Sequence, residues 1–245
     1  MRTVYESSPD IDKRSARNRG YYPEIRESDF WEFYDRCKPY SLVGVTGFFN
    51  LYRSMHYIAR NAIPGDFVEC GVFLGGCAMF VALLRDALGL HDRHLYLYDT
   101  YCGFPEGAAD AIRGTPQPGH RIERFYTDVQ EHLATVCDGG RGITMIEGPV
   151  EETLRSFDVP AVSLLRLDTD FYSSTAAELS AIYPHLSAGG VLIVDDYGLY
   201  DGARRATDEY LATLDRVPSL NRIDTTVWSG IKPCGSVLEK MNFPK

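Results

Sequence analysis

Long apolar runs are the first absence: no stretch of this chain approaches the ~20 uninterrupted apolar residues that a membrane span requires. The start, Met1 to Arg19, is polar and lacks an apolar core of the secretory kind. Cysteine is scarce and unpatterned. The six (Cys37, Cys70, Cys77, Cys102, Cys137 and Cys234) include no C-x-x-C pair and no regular spacing. Nothing therefore marks a disulfide framework, and a cytoplasmic setting is expected. Cys70 and Cys77 lie in apolar surroundings and read as small hydrophobes. Basic charge is the minority sign: 25 lysines and arginines against 34 acids leave a formal charge of −9. Such a surface opposes general attraction to nucleic-acid backbones or anionic membranes. Internal repeats and low-complexity segments are also missing. What remains is a chain of 245 residues, 44% hydrophobic and 12% aromatic, long enough to bury a full globular core.

Two acidic clusters carry the most information. Asp168-Thr-Asp170 follows the strand-like run Val162-Ser-Leu-Leu-Arg-Leu167, and Asp195-Asp196 follows Val191-Leu-Ile-Val194. Between them, Ser173 to Leu186 has Leu179, Ile182 and Leu186 at helical spacing, with Gly189-Gly190 expected to stop the helix. Strand, helix, strand at this length is a right-handed crossover between parallel strands. Both strands then end on one edge of the sheet, where open α/β folds bind ligands. That edge collects Asp168, Asp170, Asp195 and Asp196, although 27 residues separate Asp168 from Asp195. Carboxylates so close repel unless they are protonated or share a cation. Hard oxygen donors suit Mg²⁺ or Ca²⁺ better than zinc.

The rest of the chain alternates in the same way. Residues 1–27 form a polar segment, expected to be a mobile arm or a cover over the site. Residues 28–63 hold two helices, Asp29 to Cys37 and Phe48 to Arg60, expected to serve as a lid, an interface between copies, or both. Trp31, Phe30 and Phe33 either line an acceptor pocket or form a packing face. Pro64-Gly65 breaks the chain before residues 64–245. There the expected order is strand Phe67 to Cys70, helix to Leu88, strand His94 to Tyr98, helix Glu123 to Val136, strand Ile143 to Ile146, and helix Val150 to Ser156. The acidic strands come next, then a helix from Asp201 to Leu214 and a candidate strand at Val227-Trp228. The irregular stretch Tyr101 to Gly119 reads as a lid, a binding loop or a disordered segment. The fold class is α/β, a doubly wound, mostly parallel sheet.

A cofactor cradle is expected on the same edge. Glu69-Cys-Gly71-Val-Phe-Leu-Gly75-Gly76 occupies a strand-to-helix turn, where glycine admits a ligand to the backbone and the helix offers unpaired N–H groups. The dinucleotide fingerprint G-x-G-x-x-G is not matched, because Gly71 and Gly75 lie four apart. Asp99 ends the next strand, where an acid commonly holds two ribose hydroxyls. Glu147-Gly148 ends a third strand on that edge. Together these describe a nucleoside site beside a divalent metal. Thr46, ahead of its helix, is a further candidate contact to the cofactor.

With these blocks in place the sequence resembles the macrocin O-methyltransferases (the TylF-type group), from about Leu42 to Trp228. The resemblance rests on Pro64-Gly-Asp-Phe-Val-Glu-Cys-Gly-Val72, Tyr98-Asp-Thr-Tyr-Cys-Gly-Phe-Pro-Glu106, Leu165-Arg-Leu-Asp-Thr-Asp-Phe-Tyr172 and Gly189-Gly-Val-Leu-Ile-Val-Asp-Asp-Tyr197. It implies a Rossmann-like methyltransferase fold, S-adenosylmethionine as cofactor, Mg²⁺, and a sugar hydroxyl of a secondary metabolite as acceptor. It also implies Asp168, Asp195 and Asp196 as metal ligands, Glu69, Gly71 and Asp99 as cofactor contacts, and Asp170 as base. The residues themselves leave Asp170 open between a base, a residue that supports the metal ligands from behind, and a helix cap before Ser173-Ser174. Three rivals stand beside this reading. One is a metal-dependent glycosyltransferase using Asp168/Asp170 as a D-x-D; another is a nicotinamide oxidoreductase, disfavoured by the unmatched glycine fingerprint; the third is a non-catalytic small-molecule binding protein.

Overall fold

The structure, a computed structural model, describes residues 19–104 and 123–234. Most of the polar arm and most of the irregular stretch after Tyr101 lie outside the described residues. The parallel strands are β1 (Asp66–Cys70), β2 (Leu95–Asp99), β3 (Ile143–Glu147), β4 (Val162–Leu167) and β5 (Leu186–Val194). Two further strands, β6 (Asn221–Arg222) and β7 (Trp228–Ile231), complete the order β3-β2-β1-β4-β5-β7-β6. β7 runs antiparallel to β5, and β6 antiparallel to β7. The sheet is therefore mostly parallel, as expected, with an antiparallel edge whose two-residue β6 carries no periodicity to read. The helices are α1 (Ser28–Cys37), α2 (Val45–Arg60), α3 (Gly76–Ala87), α4 (Tyr126–Ala134), α5 (Val150–Thr153), α6 (Tyr172–Ile182) and α7 (Asp201–Leu211). None of the helices described is long and apolar enough to cross a membrane.

The apolar runs are continuous because the sheet is covered on both faces. Side chains alternate across a strand. Phe67, Leu164, Val191 and Ile193 face α1 to α4, while Val68, Leu165, Leu192 and Val194 face α5 to α7. Phe30 is fully buried, with its ring 5.0 Å from Trp31 and 5.9 Å from Phe80, and Phe33 also meets Phe80. These aromatics are a packing face rather than an acceptor wall. Cys70 and Cys77 are buried and unpaired, as small hydrophobes should be.

Most helix and strand ends fall within about three residues of expectation, α2 starting at Val45 and α7 ending at Leu211, and the largest departure follows the first acidic cluster. The helix after the first acidic cluster ends at Ile182, and Tyr183–His185 forms a 3₁₀ turn around Pro184, which has no N–H for a further helical bond. Leu186 to Val194 is already strand, so Gly189-Gly190 lies inside β5 rather than stopping the helix. The register between β4 and β5 shifts between Val162 and Leu164, across from this glycine pair. Gly189, at φ +82°, takes a conformation that side-chain-bearing residues rarely adopt.

Strand order places the site. β1 continues to β2 and β3 on one side and has β4 as its other neighbour. The carboxyl ends of β1 and β4 thus flank the switch point, where doubly wound sheets open a crevice. Gly71 follows β1 at φ +82°, and a Cβ there would collide with the backbone carbonyl of Asp168. Glycine is what lets the first acidic cluster lie against the cofactor turn.

Candidate active site

Asp168 and Asp195 are set by the ends of the sheet ladder. The Asp168 N–H donates to Cys70 O at 2.8 Å and the Asp195 N–H to Leu167 O at 2.9 Å. Asp168, Asp195 and Asp196 each present a carboxylate oxygen within 4.8 Å of the others. Burial pushes the Asp168 and Asp196 carboxyls well above their ordinary range; Arg166 opposes this, and neighbouring acids add to it. Asp196 Oδ2 is buried without a hydrogen-bond partner. A three-carboxylate donor set with an orphaned oxygen fits a hard divalent cation.

The sequence reading missed the cation already present. Arg166, 3% exposed, sits within β4 and spans the cluster. Its Nη1 donates to Glu69 Oε1 at 2.7 Å, and its Nη2 donates to Asp168 Oδ2 and to Asp195 Oδ1, both at 2.7 Å. Strand pairing sets Arg166 opposite Glu69, and alternation puts Asp168 on its face. The available signal was an arginine inside a run otherwise fit for full burial, since such a charge needs partners.

Asp170 reaches the cluster by a different route from the one expected. Its φ of +71° is left-handed, so strand alternation does not continue through it. The Asp170 and Asp196 carboxyls nevertheless lie close enough for each to shift the other's titration. Burial, first, and the charges of Asp168 and Asp195 push the Asp170 carboxyl up to about 7.

Beside the acids lies a cavity with about 500 Å³ of empty space, part of it open to solvent. Gly71, Asp99, Gly148, Pro149, Asp168 and Phe171 are among its walls. Glu69, Gly75 and Thr46 are not among them, although Glu69 joins the site through Arg166 and Gly75 opens α3 at φ +89°. Thr46 is engaged elsewhere: its hydroxyl donates to Asp224 Oδ2 at 2.7 Å, tying α2 to the loop before β7. Glu147 accepts both 2.6 and 2.8 Å bonds from Arg124 at the rim.

Asp99 lines the cavity, but its oxygens already have work. Oδ2 accepts the Val72 and Phe73 N–H groups at 2.6 and 3.0 Å, and Oδ1 accepts the Tyr101 N–H at 2.7 Å. The carboxylate therefore holds the glycine turn in shape as well as facing the ligand space. Asp99→Ala is expected to weaken S-adenosylmethionine binding by about 1.5–3 kcal/mol, the range for hydrogen bonds to a charged group. The same change should lower the melting temperature. Calorimetry with an unchanged dissociation constant would remove Asp99 from the site.

Behind the Asp168–Asp170 turn, Thr169 donates to Glu178 Oε1 at 2.9 Å, and the other Glu178 oxygen is buried without a partner. Burial pushes this carboxyl from 4.5 up to about 8. Folding favours the protonated form, so its contribution is complete below the ordinary value and is lost as pH rises toward 8. In Glu178→Gln, the melting-temperature gain over the parent should grow from pH 5 to pH 8. A gain that is the same at every pH would refute this.

A family model described as Macrocin-O-methyltransferase (TylF) matches residues 24–229, a span holding the acidic cluster, Arg166 and the cavity walls named above. The chain belongs to this family. As a macrocin-family member it is an O-methyltransferase, and family and fold together imply S-adenosylmethionine as the methyl donor. Demethyldecarbamoylnovobiocin O-methyltransferase of Streptomyces niveus is 28% identical over 228 residues, covering 91% of this chain and 86% of its own. The 8-demethyl-8-(2,3-dimethoxy-alpha-L-rhamnosyl)-tetracenomycin-C 4'-O-methyltransferase of Streptomyces olivaceus is 27% identical over 237 residues, covering 91% and 81%. Among solved structures, the O-methyltransferase NovP matches with a TM-score of 0.69 at 25% identity, over 80% of this chain and 83% of that one.

Proposed function

We propose that this O-methyltransferase methylates a sugar hydroxyl of a glycosylated natural product, with Mg²⁺ on Asp168, Asp195 and Asp196. The observation that carries the metal reading is the convergence of three carboxylates within 4.8 Å beside a glycine-walled cavity. The acceptor class is supported by relatives whose names place methyl transfer on a novobiocin derivative and on a rhamnosyl tetracenomycin. Glu69, Gly71, Gly75, Asp99 and Gly148 are assigned to the cofactor side. Residues 28–63 are assigned to a lid or an interface between copies. Six unpaired cysteines, four of them buried, are in keeping with a cytoplasmic setting.

When bound, the cofactor supplies an electrophilic sulfonium methyl and the cation supplies Lewis-acid polarisation of a hydroxyl. The chain supplies position and a proton acceptor. Asp168 and Asp195 are held by Arg166 with one oxygen each, leaving their second oxygens without an Arg166 bond. Asp170 would take the proton of an acceptor hydroxyl, and the bound cofactor would supply the methyl group to that oxygen with its thioether as leaving group. Gly71 lets the cofactor turn lie against Asp168, so the two reacting groups are brought together by the switch point itself.

The glycosyltransferase reading is not favoured. Arg166 is the cation in contact with the cluster among the described residues, and three carboxylates occupy it, leaving no basic group for a diphosphate. Calorimetry with S-adenosylmethionine, NAD and a nucleotide sugar tests the reading. Binding of the first alone is expected; preferential binding of the nucleotide sugar would restore the D-x-D assignment.

A further inference from the structure

We propose that Arg166 is a positioning residue that keeps the metal-binding carboxylates assembled and aimed before any cation arrives, and that the fork of its guanidinium matters as well as its charge. The inference rests on the proposed metal reading of Asp168, Asp195 and Asp196. Four acids, Glu69, Asp168, Asp195 and Asp196, crowd the carboxyl ends of β1, β4 and β5. Unpaired carboxylates at this spacing repel. Arg166 answers three of them with two nitrogens: Nη1 holds Glu69, and Nη2 holds one oxygen each of Asp168 and Asp195, all at 2.7 Å. Asp196 is left without an Arg166 bond and has one buried oxygen with no partner.

The arrangement divides the oxygens. Asp168 Oδ2 and Asp195 Oδ1 face the guanidinium, so Asp168 Oδ1, Asp195 Oδ2 and the Asp196 carboxylate remain for a cation. A planar guanidinium fixes such directions because its donors lie in one rigid fork. An ammonium carries the same charge at a single nitrogen and cannot reproduce contacts that leave from two. The Glu69 limb extends the brace to the cofactor turn, linking β1 to the two acidic strands.

The experiment separates positioning from charge. A positive charge beside a cation site, acting by Coulomb force alone, weakens cation binding. On that basis Arg166→Met should bind Mn²⁺ more tightly, and Arg166→Lys should match the parent. The positioning role reverses both expectations. Mn²⁺ affinity, read by electron paramagnetic resonance and calorimetry, should fall at least ~10-fold in Arg166→Lys and further in Arg166→Met. Equal or tighter binding in Arg166→Lys overturns the proposal.

A variant that fails to fold leaves the parent protein as the second test. In ¹⁵N-arginine-labelled, metal-free protein, the Arg166 Nη1 and Nη2 signals should be resolved by hindered rotation. Mg²⁺ should then shift Nη2 more than Nη1. Averaged Nη signals in the metal-free protein overturn the proposal. A parent protein that takes up neither Mn²⁺ nor Mg²⁺ overturns the metal reading, and this role with it, whereas normal uptake with an unaffected Arg166→Lys overturns this role alone.

Discussion

Asp170→Asn is expected to lower kcat by ~10²–10⁴, the usual contribution of a positioned general base, while leaving Mg²⁺ and S-adenosylmethionine affinity nearly unchanged. The substitution is chosen for its geometry. Asp170 sits at φ +71°, a left-handed conformation that asparagine tolerates better than most residues, so the backbone need not move. The amide is close in size to the carboxyl and can donate to a neighbouring carboxylate such as Asp196. What it cannot do is accept the acceptor's proton. Asp170 also lies outside the set of three residues whose oxygens converge within 4.8 Å, so its loss should not open the metal site. Stopped-flow or steady-state rates, set against calorimetric titrations on the same preparation, separate the two roles. Lost Mg²⁺ affinity would make Asp170 a ligand and send the search for the base elsewhere.

Asp196→Asn should produce the opposite pattern. Mg²⁺ affinity is expected to fall by at least about 1.4 kcal/mol, one order of magnitude, with activity partly restored at high Mg²⁺ because Asp168 and Asp195 still define the site. Metal-free stability should hold or rise, since Asp196 is 6% exposed, has an unpartnered oxygen, and takes no bond from Arg166. Removing a strained acid from a functional site commonly stabilises the fold at the cost of function. Asp195→Asn should also weaken Mg²⁺ but lower the melting temperature, because it disturbs an Arg166 ion pair buried in the sheet. Parallel thermal melts and Mg²⁺ titrations check both halves. Equal stability changes in the two variants would contradict the unequal roles assigned to them.

The five parallel strands and their succession along the chain were legible because their residues have few alternatives. Runs such as Leu164-Leu165 and Val191 to Val194 are apolar at consecutive positions, which only a sheet covered on both faces can use. Each run ends in an acid or a glycine, so the functional edge could be marked without coordinates. The partners of those acids were not legible. Asp99 was assigned to ribose hydroxyls, yet its oxygens also bind the Val72, Phe73 and Tyr101 N–H groups, bonds that depend on how two turns meet. Asp170 comes near Asp196 through a left-handed backbone conformation that a strand-continuation argument could not foresee. Arg166 was hidden for another reason: hydropathy reads one arginine in a strand as an interruption, whereas its three partners come from three different strand ends. The boundary at Ile182 was missed because Gly189-Gly190 is the stronger helix-stopping signal in the sequence, but Pro184 acts first.

The central claim is metal-dependent methyl transfer to a sugar oxygen, and one measurement addresses it directly. The protein, stripped with EDTA and supplied with S-adenosylmethionine labelled in its methyl group, would be incubated with a deoxysugar-bearing natural product with and without added Mg²⁺. Mass spectrometry of the product then locates the label. Label on a sugar oxygen only when Mg²⁺ is restored is the predicted result; transfer at full rate in EDTA would contradict the role given to Asp168, Asp195 and Asp196.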